Sequence, residues 1–401
     1  MKKFLVLGLI LAVAGGAFAQ SITFSGGVAT GLGIIFPDRD MIPNNALVTM
    51  QRDTFGGNSL EANLNVLGTN ADGTVTFHFG LRASNTIVRT TDDTTNAVQF
   101  EFKMENGNVR FNFLDNTLQL IIGRGGPGGF STGAPRGQSF DIAEGGGGHI
   151  SAVYNVTPEL RFGLTLRPGY HNIGNYTTAA GNRLRRVPIS LGVRYAIPDV
   201  GSLHLNFLTN GTADDKQRMD LAVGANLAAL VSGTSFTALN FSVAILDLTK
   251  TSNTMTFELS EGITFAQDAL TIQAMLRQTV AMPTGGTMRM NLHFRVNATY
   301  KINDIVTPGL DLGFVMGNDA TNLGTGINAG NLVNLYRRPT DALGQAAVGR
   351  LQDRMGVAIN PYVNFVVGPS TTMQLGYTFA RNLKGASFMT NAVYFNVGMS
   401  F

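Results

Sequence analysis

Twelve basic side chains fall at every second place of long alternating runs. Arg82, Lys103, Arg110, Arg161, Arg167, Arg186, Arg194, Arg218, Arg277, Arg289, Arg295 and Arg354 lie opposite in parity to the apolar residues around them, against five acids, Glu101, Glu105, Asp220, Glu258 and Asp311. Fixed positive charge spread along one face breaks no bond. Its chemistry is to raise the concentration of anions beside it. A plainer role stays open, because arginines on neighbouring strands can tie those strands together. Charges at strand ends in bulk water count for little beyond a Debye length of about 8 Å.

Bond-breaking chemistry has less to stand on. His78, His149, His171, His204 and His293 are scattered over different runs, with no pair at metal-ligand spacing and no nucleophile and base in one local motif. The acidic pairs Asp92-Asp93 and Asp214-Asp215 fall in loop-like segments, where solvated charge is the ordinary role. The chain is therefore expected to be no enzyme and to carry no catalytic residue, metal or cofactor. The segment from Gly123 to Gly148 is glycine-rich but lacks the Gly-Lys-Ser/Thr ending of a phosphate loop and leads into no helical pattern. It has two readings. It is an outer surface loop, the first expectation on composition, or it folds into a pore so that Arg124, Arg136, Asp141 and Glu144 form a constriction.

The elements that must position these residues are strands. Ile22, Phe24, Val28, Leu32 and Ile34 share one face of the first run; Leu60, Ala62, Leu64 and Val66 mark the second; Val75, Phe77, Phe79 and Leu81 the third. Period 2 with a clean polar face opposite fits a sandwich with apolar residues inside. It fits equally a water-holding barrel with them outside. Short turns are expected at Gly68 to Gly73, Asp115-Asn116, Thr157-Pro158, Pro198 to Gly201, Leu230 to Thr234, Gln267-Asp268, Lys301 to Asp304 and Gly368 to Ser370. They alternate with nine longer segments if Val98 to Phe113 is one strand whose apolar parity is switched by a β-bulge near Asn106 and Gly107. That gives eighteen strands, or sixteen if the weakest junction, Leu227 to Ser235, is no turn. Tyr154, Phe162, Tyr195, Phe294, Tyr300, Tyr362 and Phe365 sit near strand ends, where interfacial aromatic belts would lie.

Composition agrees with a membrane barrel. Only 14% of the 401 residues are charged, against about a quarter in typical globular chains, and 49 are glycine. Met1-Lys2-Lys3, the apolar run Phe4 to Ala14 and the small residues Ala17-Phe18-Ala19 read as a signal peptide over 1–19, leaving 20–401 as one barrel domain. The 29 lysines and arginines, less Lys2 and Lys3, leave 27 against 26 acids, and no basic block points to nucleic acid. Cysteine is absent, which excludes a lipoprotein anchor, disulfides and thiolate metal sites.

The last stretch carries a resemblance. Val393, Phe395, Val397, Met399 and Phe401 alternate with Tyr394, Asn396, Gly398 and Ser400, and the sequence stops on an aromatic residue. It resembles the bacterial outer-membrane porin and barrel class, in which a terminal Phe preceded by alternating apolar residues is read by the assembly machinery. Here Phe395, Val397, Met399 and Phe401 would be that signal, although Asn396 stands where glycine is common. The resemblance implies an all-β, antiparallel up-and-down transmembrane barrel in the outer membrane of a bacterium with two membranes. Its partners would be membrane lipid, the barrel-assembly machinery and small hydrophilic solutes, and it admits a homotrimer.

On these grounds the expected function is passive diffusion of small hydrophilic solutes with a modest preference for anions. The alternatives are a surface adhesin or recognition barrel acting through its long outer segments, and, with less support, a hydrophobic-solute transporter.

Overall fold

The computed structural model describes residues 21–37, 47–49, 60–89, 96–124, 127–130, 148–166, 189–211, 217–249, 254–284, 286, 288–317, 355–384 and 389–401. The signal-peptide reading of 1–19, most of the outer segments, and Arg136, Asp141, Glu144, Arg167, Arg186 and Arg354 lie outside them.

Strands follow one another as antiparallel neighbours. β1 (Ser21–Pro37) carries the three-residue β2 (Leu47–Thr49) beside its outer end. β3 (Leu60–Thr69) turns through 70–74 into β4 (Val75–Arg89), β5 (Asn96–Phe113) through 114–117 into β6 (Leu118–Arg124), and β7 (His149–Asn155) through 156–159 into β8 (Leu160–Leu166). β9 (Ile189–Ile197) and β10 (Gly201–Gly211) follow, then β11 (Gln217–Asn226), a short 3-10 turn at Ala229–Val231, and β12 (Phe236–Leu246). β13 (Thr254–Gln267), β14 (Leu270–Pro283), β15 (Arg289–Tyr300), β16 (Val306–Gly317), β17 (Met355–Gly368), β18 (Thr371–Lys384) and β19 (Met389–Ser400) complete the wall. β1 pairs with β3 on one side and with β19 on the other, so the eighteen strands other than β2 close on themselves without an edge. Ser400 is opposite Gly27, and Phe401 and Gly26 exchange both backbone hydrogen bonds, at 2.9 and 3.0 Å.

All eight expected turns are present, including the one at Leu227 to Ser235, so eighteen strands is correct and sixteen is not. The turn chemistry is visible. Leu114, Asp115, Asn116, Asp199 and Asp268 have positive φ, a region that Asp and Asn tolerate better than most residues. Asn303 Oδ1 accepts from the backbone amides of Ile305 and Val306 at 2.9 and 2.7 Å, and Thr157 Oγ1 from Leu160 at 3.1 Å. β5 is a single strand, and Gly80 and Leu81 pair with Asn106 and Met104, so the extra residue is Glu105. The bulge thus lies one residue before the expected position and switches the parity as required.

Burial decides the question that periodicity left open. On β7, β8 and β10 the polar Ser151, Thr165 and Asn206 are 0% exposed, while Leu203 and Leu205 beside Asn206 are 43% and 44% exposed. Apolar residues face out and polar residues face in all round the wall, the reverse of a soluble sandwich. Tyr154, Phe162, Tyr195, Phe294 and Tyr300 are exposed on the outside as expected of a belt. Tyr362 is not. It lies on the inner face, where its hydroxyl accepts from Asn297 Nδ2 at 2.8 Å, because its Cα partner Gly309 leaves room for the ring. Tyr394 lies over Gly376 in the same way and donates to Asn360 Oδ1 at 3.0 Å. Polar cross-strand pairs continue this inner lining, with Gln374 Nε2 donating to Asn364 Oδ1 at 2.9 Å and Asn396 Nδ2 to Gln374 Oε1 at 3.2 Å.

Candidate pore constriction

Three neighbouring strands, β8, β9 and β10, bring the basic side chains of the inner wall into one row. Arg161 is the Cα partner of Arg194, and Arg194 is the Cα partner of His204. Like charges directly opposite one another destabilise a sheet, so this row is no strand tie. Asn155, opposite Arg161 on β7, accepts from Arg161 Nε at 2.8 Å, and Ser202 Oγ is 2.8 Å from His204 Nε2. Among the described residues neither Arg161 nor Arg194 has a carboxylate within ion-pairing distance.

The adjacent row reads Val153, Gly163, Gly192, Asn206 across β7 to β10. Two residues without side chains leave a hollow in the wall, and residues 127–130 enter it. Phe130 is fully buried and packs on Val153. Its carbonyl accepts from Asn206 Nδ2 at 2.8 Å, and the Arg161 guanidinium stands over its ring at 5.5 Å. Phe130 thus touches both ends of the glycine-centred row, and with Ile121 and Val153 forms an apolar knot inside an otherwise polar lumen. This corrects the surface-loop expectation for the Gly123 to Gly148 segment over residues 127–130. Composition could not show it, since the contacts join residues as far as 76 apart.

The remaining candidates divide as follows. Arg82, Arg110, Arg277 and Arg295 are on the inner rows of β4, β5, β14 and β15, with Arg277 and Arg295 buried. Arg110 Nε donates to Asn108 Oδ1 at 3.4 Å. Arg295 is tied, forming a bidentate pair with Asp311 through Nε (2.8 Å to Oδ1) and Nη2 (to Oδ2). Asp220 is buried and accepts from the Asp247 backbone amide at 2.8 Å. Lys103 pairs with Arg82 in register, Arg218 lies on β11 and Arg289 opens β15. Arg124 ends β6, where its carbonyl accepts from Asn108 Nδ2 at 2.9 Å. Phe395, Val397 and Met399 are on β19, with Met399 exposed outward and Phe401 just beyond the strand.

Phe130, His204, Asn155 and Asn206 were not among the sequence candidates. His204 and Asn206 carry the same parity signal as the arginines, opposite to Leu203 and Leu205, and a count of polar as well as charged inner positions finds both.

A closed barrel with a polar inside and an apolar outside is a transmembrane barrel, and its fold is that of the bacterial outer-membrane porins. OccD3 (OpdP) of Pseudomonas aeruginosa superposes with a TM-score of 0.54 at 13% identity, over 96% of this chain and 92% of that one. OpdK of the same organism, solved with vanillate, gives 0.53 at 11% identity, over 96% and 100%. No family model and no curated protein matches the sequence. At such identities the likeness is one of fold.

Proposed function

We propose that the chain, with residues 1–19 removed, is a non-enzymatic outer-membrane channel for small hydrophilic solutes that prefers anions. The observation that carries this reading is the row Arg161, Arg194, His204, in which two arginines face each other with no carboxylate beside them among the described residues. Of the described side chains on the inner rows, the arginines are Arg82, Arg110, Arg161, Arg194, Arg277 and Arg295, and the acids are Asp220 and Asp311. Asp311 neutralises Arg295, which leaves the excess positive charge elsewhere. Walls of eighteen strands enclose an aqueous lumen wide enough to screen that charge. Selectivity then depends on a narrowing, and residues 127–130 narrow the lumen beside Arg161. The test is the reversal potential of single channels across a salt gradient, before and after Arg161→Gln with Arg194→Gln. An anion-selective channel that loses selectivity on neutralisation supports the reading; cation selectivity in the unaltered protein refutes it.

A further inference from the structure

The outward rows are apolar with one conspicuous break. Glu261 lies in the middle of the fourteen-residue β13, where its Cα partners are Phe241 and Leu276. Its neighbours in the next row, Asn240, Gly262 and Met275, are buried inward, which fixes Glu261 on the outside. Gln278, opposite Leu259 and Leu292, is on the same outer face, diagonal to Glu261 across β13 and β14. Among the described side chains no other charge occupies an outward row at mid-strand. Neither Glu261 nor Gln278 has a hydrogen-bond or ion-pair partner among the described residues.

A carboxylate in the hydrocarbon zone is costly unless it is paired, and lipid tails offer no donor. We propose that this patch is covered by a second copy of the chain, so that Glu261 of each copy accepts from Gln278 of the other. The patch is self-complementary, because it presents one acceptor and one donor at diagonal positions separated by roughly 7–8 Å. A symmetry axis normal to the membrane keeps both copies at the same depth, so each acceptor meets a donor. The exposed Phe241 and Phe294, with Leu276 between them in register, supply the apolar surround such an interface needs. The inference does not depend on what passes through the lumen.

The chain contains no cysteine, so single thiols report proximity without background. Leu276→Cys, between the two polar residues, and Leu205→Cys, exposed on β10 away from the patch, are oxidised in isolated outer membranes and run without reductant. A species of twice the chain mass for Leu276→Cys and not for Leu205→Cys is expected. Cross-linking of neither, with both thiols reactive to a membrane-soluble maleimide, overturns the proposal, as does equal cross-linking of both or an adduct of Leu276→Cys with a different protein. Light scattering in mild detergent covers the case in which Leu276→Cys fails to fold. The unaltered protein should be larger than one chain, and Glu261→Leu with Gln278→Leu should move it towards a single chain. A single-chain mass for the unaltered protein, or no change in the double variant, also overturns it.

Discussion

Asn206 on β10 holds the Phe130 carbonyl at 2.8 Å, across 76 residues of chain, so one side-chain amide fastens residues 127–130 to the inner wall. Removing the donor while keeping the volume, as in Asn206→Leu, leaves the buried carbonyl without this partner, at a cost of about 1–3 kcal/mol. The segment should then release, and single-channel conductance should rise. Deleting residues 127–130 should raise it further, whereas unchanged conductance in both, with folding intact, would mean that the segment does not narrow the pore.

The Arg295 and Asp311 side chains are 4% and 7% exposed, so their pair is a buried one. Asp311→Asn strands a buried cation and should cost about 3–5 kcal/mol, read as a fall in the urea midpoint of the lipid-embedded barrel. The double change Arg295→Met with Asp311→Leu should be milder than Asp311→Asn alone, because no charge is left uncompensated. An equally severe double variant would show that packing, not charge, is what the pair supplies.

A Cβ at Gly376 would fall inside the Tyr394 ring. Gly376→Val should therefore displace the ring and destabilise the β17 to β19 wall by about 1–3 kcal/mol. Tyr394→Phe, which loses only the donation to Asn360, should cost about 1 kcal/mol. The temperature at which the folded gel band is lost checks both, and a milder effect for Gly376→Val than for Tyr394→Phe would contradict the packing described here.

Asp72 and Asp304 in the inner turns both titrate below the usual carboxylate value of 3.8, Asp72 chiefly through the Thr74 hydroxyl at 2.7 Å and Asp304 through Lys301. A lowered folded value means stability that is present above the unfolded value and lost as pH falls through the folded one. Both groups are fully exposed, so the loss is small and confined to acid below that range. Unfolding temperature should be the same at pH 7 and pH 5. A marked fall between them would point to titrating groups other than these.

Much of the wall was legible because its code is local. Alternation placed the strands, and Asp115-Asn116, Asp199 and Asp268 announced turns through the backbone conformations they tolerate. The switch of apolar parity between Met104 and Val109 located the bulge to within a residue. The direction of the faces was not legible, since period 2 is the same whether water is inside or outside. It took the burial of Asn206 against the exposure of Leu205 to decide it. The seating of Phe130 was hidden for another reason: its partners Val153, Arg161 and Asn206 come from three strands and share no sequence pattern with it. Tyr362 misled because aromatic residues near strand ends serve both faces, and only its position opposite Gly309 sets which.

The central claim is that the unpaired arginines of the inner wall set the passage of ions. The most direct measurement is the reversal potential of the channel in a potassium chloride gradient, taken on the unaltered protein and on Arg161→Gln with Arg194→Gln. We expect chloride preference in the first, moved towards the unselective value in the second, with Arg295→Gln and Asp311→Asn together changing it little because that pair is already neutral. Potassium preference in the unaltered channel, or a reversal potential that does not move when Arg161 and Arg194 are neutralised, would contradict the account.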